Sequence, residues 1–205
     1  MKVTLLNESS FKPALYGLGL SYGITSEVDP YGFMYDKTGR YNALTDRLID
    51  IATKLAVKGD GHNEFLIHIT TEWVIQAPRY WWEEMIQYRF ADMFPTRMQV
   101  SDLSESTMHT LTARDLKQSD FEYPISPDNL AELNLYRQAV KDSKMPLERF
   151  KNHLPEGFLQ KRVVQMNYMC LRNIVKQREK HRLPEWRIFC QSVNDSITFP
   201  EWVIT

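Results

Sequence analysis

The residues with the clearest potential for chemistry lie in segment 154–178, which runs from a Leu-Pro pair to an arginine. It carries two amides six residues apart, Asn167 and Asn173, and then Arg178 five residues further on. A guanidinium stays charged at physiological pH, so it suits contact with an anion or with negative charge that develops in a reaction. The alternative is a solvated helix end, because cations are favoured near a helix C-terminus and basic residues continue after Arg178. The residues alone favour this second interpretation.

The spacing of these residues resembles that of flavin-dependent thymidylate synthases. In that family a Leu-Pro pair precedes Asn-x-x-x-Leu, a second Asn follows six residues after the first, and an Arg comes five residues later. Asn167, Leu171, Asn173 and Arg178 fit this frame without a gap. The resemblance makes Arg178 the expected catalytic residue. In the family the matching arginine contacts the pyrimidine ring of dUMP, where a fixed cation stabilises charge that develops as carbon 5 is activated.

A second stretch, residues 61–89, resembles the same family less completely. It contains Gly61-His62, an alternating strand pattern, and Ala77-Pro78 before a helix that ends in Gln87-Tyr88-Arg89. The family has Arg-His-Arg at this helix end, so only the last arginine is retained. The resemblance implies that the cofactor-binding residues are His62, Gln87, Tyr88, Arg89, Asn167 and Asn173.

The family's phosphate-binding signature, R-H-R-x-x-S-x-N-x-x-S-x-R-Y, can be placed on this chain in two registers. Without a gap, Asp92 stands where a phosphate-facing Ser belongs, and a carboxylate there would repel a dianion. With an insertion, segment 104–109 matches, with Thr107 for Ser and His109 for Arg. We favour the second register, because a threonine hydroxyl can still donate to phosphate.

Another phosphate contact of the family is an Arg three residues before Leu-Pro, where this chain has Lys151. Lysine keeps the charge but lacks the planar fork of arginine. Arg97 and Arg114 are candidates to replace the lost contacts. By resemblance, the expected substrate-binding residues are Glu84, Glu105, Thr107, His109, Lys151 and Arg178.

The histidines and cysteines do not predict a metal site. The histidines share no metal-ligand spacing, and surface or capping roles are expected for His62, His68, His153 and His181; only His62 gains weight, from its Gly-His context. Cys170 and Cys190 lack Cys-x-x-Cys spacing and lie in helical patterns, so we expect structural thiols.

Aromatic and acidic clusters on the predicted strand and the following helix have ordinary explanations. Trp73, Trp81 and Trp82 suit a wall for a flavin or base, but packing in the core is the commoner role of tryptophan next to a strand. Glu83 and Glu84 are adjacent on a helix and therefore do not face each other, which argues against a catalytic carboxylate pair.

The elements that must position these residues follow from the hydrophobic pattern. Apolar residues at three- and four-residue steps predict a helix over 41–57, and alternation predicts a half-buried strand over 64–76. Prolines predict further helix starts. We expect helices over 78–89, from Ser126 to about Lys144, from Pro146, over 160–180, and from Pro184 to near Val193 and Asn194, with a loop over 90–104. The first 40 residues are not assigned.

Composition limits the function classes. The 205 residues suit one domain, 1–205, and 43% hydrophobic residues suffice for a core. A formal charge of −1 gives no global field that would draw the chain to nucleic acid or to a membrane surface. Without a long apolar run or a secretory N-terminal pattern we expect a cytoplasmic protein, in the host cytoplasm if it is encoded by a phage, as the compact chain and altered signature suggest by resemblance.

The sequence therefore predicts an α+β fold like that of thymidylate synthase-complementing proteins, with a mixed sheet and long helices. The resemblance is specific over 151–190 and partial over 60–110. It implies a homotetramer, FAD, NADPH and methylenetetrahydrofolate as cofactors, and dUMP or a related pyrimidine deoxynucleotide such as dCMP as substrate. Two alternatives remain: a non-catalytic nucleotide-binding descendant of the fold, and a structural oligomer that uses segment 90–104 as a contact surface.

Overall fold

The computed structural model describes residues 1–24, 43–58, 61–88, 101–102 and 111–204. Four expected site residues, Arg89, Glu105, Thr107 and His109, lie outside these ranges, as does Arg97. The described strands are β1 (Lys2–Ser9), β2 (Thr70–Pro78), β3 (Ser101–Asp102) and β4 (Leu159–Asn167). The helices are α1 (Phe11–Ser21), α2 (Ala43–Ala56), α3 (Arg79–Gln87), α4 (Pro127–Lys141), α5 (Leu147–His153), α6 (Tyr168–Arg178) and α7 (Pro184–Ser196).

The four strands form one sheet in the order β1-β2-β4-β3. All three pairings are antiparallel, whereas a mixed sheet was expected. Side chains of the central strand β2 alternate between a buried and a less buried face, as expected for a strand with one face on the core. The buried face carries Thr71, Trp73, Ile75 and Ala77. The α+β class predicted from the sequence is confirmed.

Two predicted elements are corrected. The strand expected over 64–76 starts later, because Glu64–Ile67 forms a 3-10 turn and β2 begins at Thr70. The helix expected over 160–180 is wrong in its first half, where β4 runs to Asn167 before α6 begins. Val164 and Met166 alternate into the core, and the whole of β4 pairs with β2. This distant partner fixes a strand where the local pattern also fitted a helix.

Several helix boundaries follow their local signals. The Ser126 hydroxyl accepts a hydrogen bond from the backbone N–H of Asn129 at 3.1 Å, as an N-cap should. Pro184 opens α7 as predicted. Ser101 and Asp102, placed in a loop by the sequence, pair with β4. None of the helices within the described ranges is long and apolar enough to cross a membrane.

The main core is formed by one face of the sheet and the helices α1, α2, α3, α6 and α7. Its largest side chains include Trp73, Trp81, Trp186 and Phe189, and Trp82 is also buried, so the core role expected for the three early tryptophans is observed. Cys170 and Cys190 are buried cysteines, as expected for structural thiols. A second, smaller cluster is formed under α4 and α5 by Leu111, Leu116, Phe121, Leu133, Phe150, Leu154 and Phe158.

Candidate functional site

The strand pair β2–β4 places the ends of α3 and α6 next to each other. Thr70 pairs with Asn167 and Pro78 with Leu159, so α3 and α6 leave the pair at opposite ends. The pair is about 30 Å long, and helices of nine and eleven residues span about 13 and 16 Å. Both pack on the main core, so they run toward each other and end at the same place. Tyr88 and Arg178 meet there.

Arg178 is the centre of a polar cluster at this meeting point. Its Nε donates to the hydroxyl of Tyr88 at 2.5 Å, and its Nη1 donates to Oε2 of Glu84 at 3.0 Å. The same carboxylate oxygen accepts from Nε1 of Trp186 at 2.8 Å. Arg178 and Glu84 are only 19% and 28% exposed, so the pair is held at the surface without being freely solvated.

Two aromatic rings fix the plane of the guanidinium. The Cζ atom of Arg178 lies 4.9 Å from the ring centre of Trp186 and 5.4 Å from that of Tyr88. Both distances are within the range of cation–π attraction. The rings contact each other edge to face, with centroids 5.8 Å apart. The cation is therefore held by two rings and a carboxylate, while its Nη2 makes no hydrogen bond to any residue in the described ranges.

His181 completes the cluster. Its Nε2 lies 2.8 Å from Arg178 Nη1, and its Nδ1 lies 3.3 Å from the donating backbone N–H of Leu183. A neutral imidazole has one acceptor nitrogen, so only one of these two contacts is a hydrogen bond at a time. The position of the ring proton thus determines whether His181 accepts from Arg178 or from the backbone.

Tyr88 is a neutral phenol in this setting. Its hydroxyl donates to Oε1 of Gln177 at 3.2 Å while accepting from Arg178. Burial raises the pKa of Tyr88 above its usual value, and the nearby Arg178 only partly offsets this. Tyr88 therefore acts as a hydrogen-bonding bridge between α3 and α6 rather than as a second charge.

Comparison with known proteins identifies the architecture through structure rather than sequence. No family model and no curated sequence matches the chain. The solved structure of the flavin-dependent thymidylate synthase ThyX from Helicobacter pylori, complexed with FAD and dUMP, matches with a TM-score of 0.67 over 99% of this chain and 98% of that one, at 14% identity. The chain has the ThyX fold.

A second enzyme with this fold is also similar. The UMP/dUMP methylase PolB from Streptomyces cacaoi, bound with 5-Br dUMP, matches with a TM-score of 0.55 over 95% of this chain and 88% of that one, at 15% identity. The resemblance read from the Asn-Asn-Arg frame is thus confirmed at the level of the fold. What the ThyX-like chain does depends on its own residues.

The two asparagines of the sequence frame, Asn167 and Asn173, are not part of the Arg178 cluster. Asn167 is the N-cap of α6, where its Oδ1 accepts from the backbone N–H of Cys170 at 2.8 Å. Since α6 has eleven residues, this cap lies about 16 Å from Arg178. Asn173 is half-buried in the middle of the helix and is rotated from Arg178 by about 140° around the axis.

The remaining expected residues are distributed over the ThyX-like fold. Glu84 contacts Arg178 itself, whereas Gln87 is exposed on the outer side of α3. His62 lines a cavity of about 360 Å³ between α1 and the 3-10 turn, together with His68 and Tyr22. Lys151 lies on α5, beside the smaller apolar cluster rather than the main core. The Arg178 cluster, the His62 cavity and Lys151 thus lie in different parts of the chain.

Two members of the Arg178 cluster were missed by the sequence analysis. His181 was given a surface or capping role, and Trp186 was not considered. Trp186 lies in the first turn of α7, on a different helix from Arg178, so no single-helix spacing links the two. In the sequence, the feature that could have drawn attention to Trp186 is its position two residues after Pro184 and four after the basic segment 180–182.

Proposed function

We propose that this chain is a flavin-dependent thymidylate synthase-like enzyme that transfers a one-carbon unit from a folate to dUMP or a related pyrimidine deoxynucleotide. The observation that supports it is the state of Arg178. By the sequence resemblance this residue matches the family's pyrimidine-contacting arginine. It is fixed by Trp186, Tyr88 and Glu84, while no residue in the described ranges accepts a hydrogen bond from its Nη2.

The fixed guanidinium fits the electrostatic part of such a reaction. Charge that develops on the pyrimidine as carbon 5 is activated would be stabilised by the two N–H groups of Nη2. Because the rings and Glu84 already hold the side chain, little reorganisation is needed when the ligand arrives. Glu84 also lowers the net charge beside Arg178. The Arg178 cluster therefore suits a polar ring edge better than a dianion.

FAD and the other cofactors belong to this proposal. The N–H groups of Arg178 that no residue in the described ranges accepts would suit the carbonyl groups of a planar ring, and the His62 cavity offers space for another part of a large ligand. Reduced by NADPH, the flavin would supply the two electrons that convert a methylene-level carbon from the folate into a methyl group. Tyr88 and Arg178 would orient and polarise the bound pyrimidine.

We further propose that the working enzyme is a homotetramer whose sites combine residues of different chains. Lys151 and Arg178 belong to helices that pack on different apolar clusters, which supports sites that combine the Lys151 of one chain with the Arg178 of another. Light scattering and sedimentation of the purified protein test this. A monomer at micromolar concentration would contradict a shared site.

The first experiment is the visible spectrum of the purified protein, followed by titration with FAD in the presence and absence of dUMP. A flavin band, or saturable binding that dUMP tightens, is expected. Oxidation of NADPH that depends on dUMP and methylenetetrahydrofolate and yields tetrahydrofolate then tests turnover. Absence of binding at tens of micromolar FAD, an ample concentration for a specific cofactor site, would exclude the flavoenzyme.

A second candidate, a nucleotide-binding descendant without turnover, is favoured by the changed helix end of α3. Gln87 and Tyr88 replace the first two residues of Arg-His-Arg, and Gln87 points to solvent. This candidate predicts that dUMP binds and that Arg178→Ala weakens the binding, while NADPH is not consumed. The two candidates therefore differ in turnover and agree on the importance of Arg178.

A further inference from the structure

A second cavity, of about 130 Å³, lies on the other face of the sheet from the main core. Its floor contains Gln76 and Lys161, which pair directly across β2 and β4. Gln76 alternates with the buried Ile75 and Ala77, so it points away from the core. No member of the Arg178 cluster lines this cavity.

The floor carries one charge without a counter-ion. The side chains of Lys161 and Gln76 make no hydrogen bond or ion pair with another residue in the described part of the chain. Lys161 is solvent-accessible, so its ammonium group is able to reorient. The pair therefore presents three ammonium N–H groups and an amide to anything that enters.

Another part of the lining is an ion pair that is close to neutral. Arg114 donates to both carboxylate oxygens of Asp120, at 2.8 and 2.6 Å, and to the carbonyl of Asp115 at 2.8 Å. Burial alone would raise the pKa of Asp120, but Arg114 and the backbone N–H of Lys117 outweigh burial and lower it. The two side-chain charges cancel, while two of the five guanidinium N–H groups remain unused by residues in the described ranges.

The rest of the lining is apolar. Leu111, Leu116 and Phe158 belong to the smaller cluster and are each at most 5% exposed. A cavity of about 150 Å³ can hold a molecule of the size of benzene, and the volume here is about 130 Å³. The space thus combines a small apolar compartment with a single unneutralised cation and spare N–H donors.

We propose that this cavity binds a small organic monoanion, a carboxylate on an apolar body about the size of a benzene ring. The carboxylate would accept hydrogen bonds from Lys161 and the Gln76 amide, and the body would contact Leu116 and Phe158. Such a site shares no residue with the Arg178 cluster and is independent of flavin chemistry. It adds a second, anion-specific binding function to the fold.

The test is a titration of the full chain with 4-fluorobenzoate, followed by fluorine NMR. A ligand of this size is expected to bind with a dissociation constant on the order of 10 mM or tighter. The neutral isostere 4-fluorobenzamide is expected to bind at least about tenfold more weakly, because it lacks the charge-assisted contact. Equal binding of the two would overturn the proposal.

Two lysine variants locate the site. Lys161→Ala is expected to weaken 4-fluorobenzoate binding by at least about tenfold. Lys58→Ala removes another exposed lysine, beyond the end of α2, and is expected to leave the binding unchanged. Because both side chains are exposed, both variants should keep the wild-type circular dichroism. Unchanged binding in folded Lys161→Ala, or no saturable binding to the wild type, would refute the assignment.

Discussion

The two ends of α6 both carry residues that match the thymidylate synthase frame, yet they are used differently. At the N-terminal end, the side chain of Asn167 is occupied by the backbone of its own helix. At the C-terminal end, Arg178 contacts side chains of α3, α7 and the segment between α6 and α7, and its Nη2 makes no hydrogen bond within the described ranges. A matched motif residue can thus serve the fold at one position and remain available for a ligand at another.

The strongest test of this contrast is Arg178→Ala. We expect turnover of dUMP to fall by about 10²–10³-fold, as when one electrostatic group is removed from a transition-state site. The fold should persist, because Glu84 keeps its bond from Trp186 and is partly solvated. Initial rates of dUMP-dependent NADPH oxidation measure the effect.

Arg182→Ala is the matched control, since it removes an exposed arginine four residues later. It should retain wild-type turnover. Equal losses in both variants would mean that general positive charge, rather than the held guanidinium, matters.

At the other end of the helix, Asn167→Ala should lower the free energy of unfolding by about 1 kcal/mol through loss of the N-cap. Asn167→Ser should recover most of that, because a serine hydroxyl caps comparably. Urea denaturation followed by circular dichroism gives both values. If Asn167→Ser is as stable as the wild type but no longer binds FAD, Asn167 contacts the cofactor as the family resemblance implies, and the contrast between the ends disappears.

Tyr88→Phe tests the bridge that supports Arg178. Losing the hydroxyl breaks the bonds to Arg178 and Gln177, which should lower stability by about 1 kcal/mol near neutral pH. Because the native pKa of Tyr88 is raised, its contribution is complete below the unfolded-state pKa of about 10 and is lost as pH rises through the higher native value. The stability advantage of the wild type should therefore stay constant up to about pH 9 and shrink at pH values above about 10 in urea titrations. A constant difference would show that burial of Tyr88 does not perturb its ionisation.

The smallest effect is expected for Glu84→Gln, which keeps an oxygen for Trp186 and removes the charge beside Arg178. Binding of dUMP should tighten by about two- to fivefold, in line with the small energies of partly exposed ion pairs. Tryptophan fluorescence during dUMP titration measures it. Glu83→Gln makes the same charge change on the exposed neighbour and should have no effect. Weaker binding in Glu84→Gln would instead show that Glu84 itself holds the substrate.

The sequence predicted what depends on neighbouring residues. The Ser126 cap, the start of α7 at Pro184 and the burial of the three early tryptophans follow from local chemistry and hydrophobic pattern. The fold was predicted because the spacing of Asn167, Asn173 and Arg178 is a sequence property.

What the sequence could not give depends on distant partners. β4 was read as helix because only its pairing with β2, some ninety residues earlier, fixes residues 159–167 as a strand. Asn167 could then not be recognised as a cap, since it lay inside the predicted helix. His181 and Trp186 join Arg178 only through the packing of α6 and α7 on α3, which no spacing along the chain encodes.

The helices α3 and α6 start at opposite ends of the β2–β4 strand pair, and this arrangement affects the kinetics of folding. Glu84 and Arg178 are separated by 94 residues, and they meet only after the two strands have found each other. Contacts of such long range are slow to form, because the entropy of closing the intervening chain is lost before the contacts stabilise it. Ligand-binding competence during refolding should therefore appear late, together with the sheet, and a nascent chain should acquire it only after β4 and α6 have been synthesised.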